Sequence, residues 1–568
     1  MIFNDTENYS HTLDEITGLK INSIWEHLFV NWNSFWTTNS GRIYRPLFEI
    51  ANSFIVGLEI FHQALWFPIL LHAFFHAFSG VMLYLLGYRL LKDNFVACGA
   101  AFLLTFSVPA LIGTFNVLTV SHVFVITVVC AHLLLYLRYK EEGASAWPIH
   151  LTSLLAPLYK EYFLTTILII LILEWTSKDR SWKFVWTTGL ILLFGLHPAF
   201  VISTVFFDEP ARTSTITRMH MLKNAVHLTN AGVIPILLFS VTPLLTFFGC
   251  WSISSIIFRR AFSPRNITIG FFAAVTVMTV LLVLMHGPYN LTAKLFFLGF
   301  MLLVSLSAFQ INRLLGVWTT VSWLPHLMLY VNEVHLMYAL GPVSMTILWY
   351  IKIFLNYTSV NRDKAYYRIT RWLVMAGLIF VVCDHLLNLK VVYQAFNDVN
   401  RTLRKIAALI VHDGGVAPEM TIVANTPLGA DIRYHLQTSF PEMNINIGYT
   451  HGVSLDARED YANQGMFDRL LELVDGGQKG YLVDTQYTSQ AMRDFLNQYR
   501  ERTQLVAVAQ NNFCWNYVDP LKYLIQDNYA SYPGPADIGR HVVVKKFFLL
   551  NCDQTQYRLY RLKPAKNN

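Results

Sequence analysis

Charged residues are scarce in this chain of 568 residues. Asp, Glu, Lys and Arg make up 14% of it, whereas hydrophobic residues make up 54%. A water-soluble protein carries about 25% charged residues, because ionised side chains must cover its surface. The shortage argues against an ordinary soluble globular protein and predicts a polytopic α-helical membrane protein.

Several common signatures are also missing. No GxGxxG or Walker pattern follows a predicted strand, which argues against a phosphate-binding loop. The six cysteines form neither a CxxC pair nor a Cys/His cluster, so a structural zinc site is not indicated. No repeat of about 20–50 residues is visible, which argues against a solenoid. The net charge of +7 lies mainly in short loops between apolar runs, a pattern typical of membrane topology rather than of a nucleic-acid surface.

Long apolar runs predict about eleven helices, since crossing about 30 Å of hydrocarbon takes roughly 20 residues. The runs are 64–90, 94–114, 117–137, 182–206, 231–257, 266–286, 293–311, 314–332, 336–355 and 372–390. A further segment, 147–174, is too long for one span and contains Pro157, Lys160 and Glu161. It predicts two half-helices that form a hairpin with a polar tip. The alternative is one long tilted helix with a snorkelling lysine.

The basic residues of the short loops predict the orientation. If the hairpin returns to its own side, they share one side, the cytoplasm: Arg89, Lys92, Arg138, Lys140, Lys178, Arg180, Lys183, Arg259, Arg260, Arg265, Arg313, Arg362, Lys364, Arg368 and Arg371. Residues 1–63 and everything after 391 then lie outside. Since no apolar span precedes 1–63, we expect the natural gene to encode a further helix upstream of Met1.

The C-terminal part, 391–568, predicts an external α/β domain. Short β-type runs occur at 421–425, 444–449, 481–484, 505–509, 541–550 and 557–562, with helical patterns at 462–474 and 489–499. This alternation predicts βαβ units and a mostly parallel sheet, with the last two runs as an antiparallel pair. Cys514 and Cys552 fall in this domain and either form a disulfide or remain buried free thiols.

The first external segment, 1–63, combines acids, aromatics and arginines. Its aromatic residues predict an amphipathic helix lying along the membrane interface: Trp25, Phe29, Trp32, Phe35 and Trp36. Asp5 stands near its start, and Arg42 and Arg45 lie in the run Ser40 to Leu47. Polar residues close to a membrane surface make this outer side the place to look for chemistry.

An ordered set of motifs in residues 1 to about 390 resembles a known family. The motifs are Tyr44-Arg45-Pro46-Leu47, then His72, His76 and Tyr84, Phe106-Ser107-Val108-Pro109, Leu158-Tyr159-Lys160-Glu161, Leu324-Pro325, and Glu333-Val334-His335-Leu336-Met337-Tyr338. Together they resemble the membrane part of transmembrane O-mannosyltransferases with tetratricopeptide repeats, and more broadly the GT-C superfamily of polyprenyl-phosphate-sugar-dependent glycosyltransferases. The α/β end domain resembles that of bacterial members.

Three features depart from the family pattern. Asn4-Asp5 stands where those enzymes have two aspartates, Val334 replaces an arginine, and no tetratricopeptide repeats follow. The metal contacts, the phosphate contacts and the nature of the acceptor are therefore open: a glycan, a lipid or a protein hydroxyl.

The resemblance implies an enzyme that moves a sugar from a polyprenyl-phosphate donor to an acceptor at the outer face of the membrane, with inversion. Asp5 corresponds to the catalytic acid of the family and suits a general base. Otherwise it is a helix cap or a surface acid. Arg45, Arg42 and Lys160 suit the donor phosphate, Arg45 most of all because a guanidinium binds two phosphate oxygens at once. Arg42 otherwise snorkels at the interface, and Lys160 and Glu161 otherwise form a structural ion pair.

Further residues suit accessory roles on the outer side, and they are Glu161, His286, Glu333 and His335. A divalent metal ion, Mg²⁺ or Mn²⁺, is compatible with these residues but is not required by them. His72 and His76 share a helix face, where an interior hydrogen-bonded pair is the simpler interpretation than a metal site.

The expected location is a membrane, and two other functions are compatible with the sequence. The resemblance implies a multi-pass protein of the bacterial inner membrane, with the bilayer as a partner and no role for nucleic acid. One alternative is a membrane transporter or lipid flippase with an external binding domain, because transporters also contain broken helices and buried ionisable residues. A non-catalytic receptor or assembly scaffold is another.

Overall fold

The computed structural model describes residues 23–37, 46–62, 66–107, 110–111, 120–160, 162–196, 304–322, 337–360, 365–414, 419–425, 432, 435–436, 444–450, 467–485, 490–511 and 555–565. Within these ranges the chain is mostly helical and carries one small mixed sheet near its C-terminal end.

The helices of the N-terminal part follow one another in a bundle. They are α1 (Ile24–Thr37), α2 (Pro46–His62), α3 (Trp66–Leu91), α4 (Asn94–Thr105), α5 (Val120–Glu142), α6 (Trp147–Leu155), α7 (Phe163–Trp175), α8 (Trp182–Leu196), α9 (304–311), α10 (Arg313–Ser322), α11 (Met337–Val360) and α12 (Ala365–Gly414). Their buried apolar side chains form one core that joins α3, α4, α5, α7, α10 and α11.

The predicted hairpin at 147–174 is confirmed. Helix α6 ends at Leu155, a 3-10 turn covers Ala156–Leu158, and α7 begins at Phe163. Pro157 explains the interruption, because it has no N–H to donate and its ring clashes with the preceding helical turn. The chain reverses here, since His150 at the start of α6 and Trp175 at the end of α7 both contact the first turn of α8. The alternative of a single long helix is wrong.

Ion pairs gather at one end of the bundle, opposite the hairpin tip. Arg89 at the end of α3 lies 2.7 Å from Glu141 and 2.6 Å from Glu142 at the end of α5. Hydrogen bonds from Arg89 and Arg138 hold the pKa of Glu142 below its ordinary value. Here Asp93 caps α4, accepting from the Val96 N–H at 2.9 Å, and also pairs with Lys352 of α11.

The predicted run 94–114 is not a single helix. Helix α4 ends at Thr105, and Ser107 then accepts a hydrogen bond from the Ala110 N–H at 3.3 Å, as an N-cap residue does. By contrast, the predicted boundary between 293–311 and 314–332 is confirmed, because Asn312 separates α9 from α10 and accepts from the Leu314 N–H at 2.8 Å.

Helix α12 is much longer than the predicted run 372–390. It covers 50 residues and continues past residue 391 without a break. Its first part exposes an apolar stripe, whereas Leu403, Ile406 and Ile410 near its end are buried against the sheet. One continuous helix therefore crosses the predicted boundary between residues 390 and 391.

The sheet contains β1 (Glu419–Asn425), β2 (Asn444–Thr450), β3 (Lys479–Thr485), β4 (Thr503–Asn511) and β5 (Thr555–Leu562) in the order β2-β1-β3-β5-β4. Helix α13 (467–475) precedes β3, and α14 (Gln490–Gln498) precedes β4. Each of these strands and helices coincides with a predicted one, whereas the predicted strand 541–550 lies outside the described residues.

The prediction of a mostly parallel sheet needs correction. β1 pairs in parallel with β2 and β3, but β5 pairs antiparallel with both β3 and β4. β5 thus lies between two strands of the opposite direction. Both edges of β5 are hydrogen-bonded to these strands, whereas 541–550, its predicted antiparallel partner, lies outside the described residues.

Two apolar layers cover the sheet. On one face Tyr481, Val483 and Leu559 pack against the end of α12. On the other face Leu482 and Leu562 pack against α13 and α14. A polar contact fastens α12 to the sheet: Asp413 accepts a hydrogen bond from Tyr481 Oη at 3.0 Å and lies 3.2 Å from Arg561 Nη1.

Two helices in the described part of the chain are long and apolar enough to cross a membrane, and these segments are Leu70–Leu91 and Tyr338–Asn356. Shorter apolar helices occur at Asn94–Thr105, Phe163–Trp175, Trp182–Leu193 and Val374–Leu387. The predicted runs 231–257 and 266–286 lie outside the described residues.

Candidate functional site

The tip of the hairpin holds a buried cation. Lys160 follows the 3-10 turn and is only 5% exposed. Its Nζ lies 5.9 Å from the centre of the Phe48 ring, a distance that permits a cation–π contact. Lys160, one of the two charged residues of the predicted polar tip, is therefore folded into the protein and does not extend into solvent.

Aromatic rings from three helices surround this tip. Tyr159 meets the edge of Phe48 with ring centres 5.8 Å apart, and it meets Phe124 of α5 at 4.9 Å. Phe75 of α3 contacts Phe124 in turn at 4.9 Å. These rings fix the backbone next to Lys160 and bring the first turn of α2 against the hairpin. We call Phe48, Phe124, Tyr159 and Lys160 the tip cluster.

Helix α2 links the tip cluster to the predicted arginine motif. It begins at Pro46, whose fixed φ suits the first turn of a helix and whose missing N–H leaves no bond unmade there. Phe48 stands two residues further on. Arg45 itself lies outside the described residues, but its peptide bond to Pro46 attaches it to the start of this helix.

A small cavity lies beside the tip cluster, inside the bundle. Tyr162 and Tyr338, with ring centres 4.0 Å apart, form part of its wall. Thr165, Thr166 and Ser322 add hydroxyl groups to a lining that is otherwise mainly apolar. The cavity volume is about 20 Å³, which is room for a water molecule but not for a sugar.

Most of the predicted site residues lie outside the described residues: Asp5, Arg42, Arg45, Glu161, His286, Glu333 and His335. Lys160 is the member of the set that the structure describes, so the convergence of these groups stays a prediction. The aromatic partners Phe48 and Phe124 were not foreseen as part of the site. Their only sequence signal is the closeness of Phe48 to Arg45.

The histidines of α3 face the protein interior. His72 is buried, and His76 hydrogen-bonds to the backbone of Thr105. In the described part of the chain, no group of three or more His, Cys, Asp or Glu side chains could hold a metal ion. The predicted disulfide between Cys514 and Cys552 lies outside this part.

The tip cluster combines a buried positive charge with rigid aromatic walls. A buried ammonium group costs free energy unless it has polar or aromatic partners, and in a low-dielectric surrounding it attracts an anion more strongly than a solvated lysine does. The cluster is therefore chemically suited to hold an anionic group at this end of the bundle. Comparison of the chain with protein-family models and with characterised proteins finds no match.

Proposed function

We propose that this chain is a polytopic membrane glycosyltransferase of the GT-C type, which uses a polyprenyl-phosphate sugar as donor. The buried Lys160 at the tip of a broken hairpin is the observation that carries the proposal. It stands at the end of the bundle opposite the ion pairs of Arg89, Lys140 and Lys352. A buried cation at one end and a group of ion pairs at the other end suit a protein whose two ends face different compartments.

Exposed apolar stripes support the membrane part of the proposal. On α12 the exposed residues are Trp372, Met375, Ile379, Val382, Leu386, Leu389 and Tyr393. They recur every three or four residues over about 32 Å of helix, close to the thickness of the hydrocarbon layer. A similar stripe on α3 contains Leu70, Phe74, Phe78, Val81, Leu85 and Tyr88. Monomeric soluble proteins rarely expose apolar surface of this extent.

Helix α1 supports the interfacial placement of the N-terminal segment. Ile24 and His27 are buried, and Ile24 packs against Gly57 of α2. Trp25 and Phe29, four residues apart, are 72% and 69% exposed. A helix that packs one face on the protein and presents Trp and Phe on the other suits the boundary between lipid head groups and hydrocarbon.

The proposed reaction is a direct displacement at the anomeric carbon. The acceptor hydroxyl attacks this carbon while Asp5 takes its proton, and the bond from the carbon to the phosphate oxygen breaks. Polyprenyl phosphate leaves with the electron pair of that bond. Arg45, Arg42 and Lys160 stabilise the negative charge that grows on the phosphate, because cations in a low-dielectric site act strongly on developing charge.

The broken hairpin also supports a second candidate, a transporter or lipid flippase. Half-helices that meet inside the membrane are common in transporters, where they bind the transported substrate. A transporter moves its lipid intact, whereas a glycosyltransferase releases polyprenyl phosphate. The two proposals therefore differ in a product that can be measured.

The test uses the purified full chain, a polyprenyl-phosphate sugar and a panel of acceptors, and it measures the release of polyprenyl phosphate. The matched variants are Lys160→Met, which removes the buried charge but keeps the length of the side chain, and Lys178→Met at the exposed opposite end. We expect release to fall about 10²–10³-fold in Lys160→Met, as for the loss of one preorganised electrostatic contact, and to be unchanged in Lys178→Met. If a folded Lys160→Met variant releases polyprenyl phosphate at the full rate, Lys160 has a structural role only. Movement of an intact donor lipid across vesicles would favour the transporter.

A further inference from the structure

The sheet of the C-terminal domain has a topological switch point between β1 and β3. The connection from β1 to β2 leads to one side of β1, and β3 lies on the other side. Ile432 and Leu436 of the first connection are buried in the layer that contains α12, whereas α13 of the second connection covers the opposite face. Successive connections on opposite faces leave a crevice at the carboxyl ends of the strands, where open α/β sheets bind ligands.

One row of residues crosses the sheet at this carboxyl edge. Asp484 of β3 pairs with Arg558 of β5, and Arg558 pairs with Val508 of β4. On the other side, the parallel register of β1 and β3 places Asn425 one residue beyond the pair of Ala424 and Val483, hence next to Asp484. The row therefore runs from the switch point to the edge strand along one face of the sheet.

Asp484 has an unmet hydrogen-bonding need. Its side chain is 9% exposed, and its Oδ1 is buried without a hydrogen-bond partner among the described residues. Its Oδ2 lies 3.8 Å from Arg558 Nη1, which is close enough for charge attraction but too far for a hydrogen bond. An unsatisfied buried acceptor costs about 1–3 kcal/mol, more for a charged group, so this oxygen calls for a donor from water or from a ligand.

The surroundings of Asp484 restrict the class of ligand. Arg558 disfavours a metal ion or an ammonium group, since it places a like charge beside the carboxylate. The carboxylate itself disfavours a phosphate. A neutral hydroxyl fits both groups, because it donates one hydrogen bond and accepts others. Arg558 and Val508 are 51% and 48% exposed, so the row is open toward solvent on that side.

We propose that this edge of the sheet binds a saccharide, with two neighbouring hydroxyls donating to Asp484 and accepting from Arg558. The site belongs to the α/β domain and is separate from the tip cluster. It does not depend on the proposed glycosyl transfer, because it is defined by binding and not by turnover.

The test uses the full chain in a detergent without a sugar head group, since a maltoside would occupy the site. Saturation-transfer NMR measures the binding of neutral hexoses and disaccharides, with adenosine as a ribose-bearing comparison. Asp484→Leu is the test variant and Asp468→Leu, at an exposed acid of α13, is its control. We expect saccharide affinity to fall about 10–100-fold in Asp484→Leu, the loss of hydrogen bonds to a charged group, and to be unchanged in Asp468→Leu.

Stability separates a binding role from a structural one. Asp484 has one unsatisfied oxygen and only a long contact with the half-exposed Arg558, so its replacement by leucine costs little stability when the carboxylate serves a ligand. The unfolding temperature of Asp484→Leu should then stay equal or rise. If Asp484→Leu unfolds earlier, Asp484→Asn, which keeps the shape, must lose affinity for the proposal to stand. Equal binding by the variants, no saccharide binding by the wild type, or binding of adenosine or Mn²⁺ alone would overturn it.

Discussion

Lys140 of α5 and Glu174 of α7 form an ion pair in which the carboxylate is fully buried. Lys140 Nζ lies 3.1 Å from Glu174 Oε2, and the side chain of Glu174 has no exposed surface. Tyr136 Oη donates to the same carboxylate at 3.1 Å, and the Ser181 N–H donates at 2.7 Å. One side chain thus joins α5, α7 and the start of α8 at the end of the bundle opposite the hairpin tip.

Glu174→Gln should destabilise the bundle. The amide oxygen still accepts from Ser181, but the charge that offsets Lys140 is lost, so we expect a loss of about 2 kcal/mol. The control is Glu141→Gln, whose half-exposed side chain shares Arg89 with Glu142 and should contribute less than about 1 kcal/mol. Thermal unfolding in detergent measures both. Equal unfolding temperatures for the two variants would contradict a central role for Glu174.

Two helical glycines should respond in opposite directions to alanine. A Cβ at Gly316 of α10 would lie 2.7 Å from Phe309 Cα, too close for packing without a backbone shift, whereas a Cβ at Gly189 of α8 would meet nothing within 4 Å. We expect Gly316→Ala to lose about 1–3 kcal/mol by overpacking. Gly189→Ala should gain about 0.5–1 kcal/mol, because alanine favours the helix. Unfolding temperatures that move the same way would show that α9 and α10 pack more loosely than described.

The stability of the C-terminal domain should depend on pH through Asp475. Hydrogen bonds from the Ala565 N–H and from Arg502, at 2.8 and 2.5 Å, hold its pKa below the ordinary value. A lowered pKa in the folded state stabilises above the unfolded pKa of about 3.9, and this stabilisation is lost as the pH falls through the folded pKa. Asp475→Asn should therefore unfold earlier than the wild type at pH 7, and the difference should vanish in acid.

The matched control for this experiment is Asp468→Asn, which should change the unfolding temperature at neither pH. A difference between Asp475→Asn and the wild type that grows in acid would reverse the expected sign and remove Asp475 as the cause.

The α/β domain should face away from the cytoplasm. In a background without the six native cysteines, Glu472→Cys on the exposed face of α13 should react with a membrane-impermeant maleimide on intact cells or spheroplasts. Lys178→Cys, in the loop between α7 and α8, should react only after lysis. The reverse pattern would show that the proposed topology is inverted. Labelling of both residues before lysis would show that no membrane separates them.

If the proposed reaction is right, substitutions of Asp5 and of Arg45 should have different effects on turnover and donor affinity. Asp5→Asn cannot accept the proton, so turnover should fall about 10²–10⁴-fold while the donor lipid still binds. Arg45→Lys keeps a charge but loses the paired contact of the guanidinium, so donor affinity and turnover should both fall. Near-normal transfer by Asp5→Asn would show that Asp5 is not the general base. The remaining candidates would be Glu7, Asp14, Glu161 and Glu333. Intact transfer by both folded variants would reject the glycosyltransferase proposal for this segment.

The sequence alone determined most of the elements. Apolar runs and breakers are local properties, so they located α3, α5, α11 and the five strands to within a few residues. Pro157 and Lys160 predicted the hairpin for the same reason, because a proline and a charge interrupt an apolar helix wherever it lies.

Only the tertiary structure decided which elements are neighbours. The insertion of β5 between β3 and β4 depends on contacts between residues 44 to 80 positions apart, and no local pattern encodes such pairing. The burial of Glu174, Lys160 and Asp484 was also decided by the tertiary structure. From sequence alone a charged residue is expected to be exposed, because its partners are not known. The continuity of α12 is likewise decided by the sheet, because its polar-looking second half becomes a buried face only when the sheet packs against it.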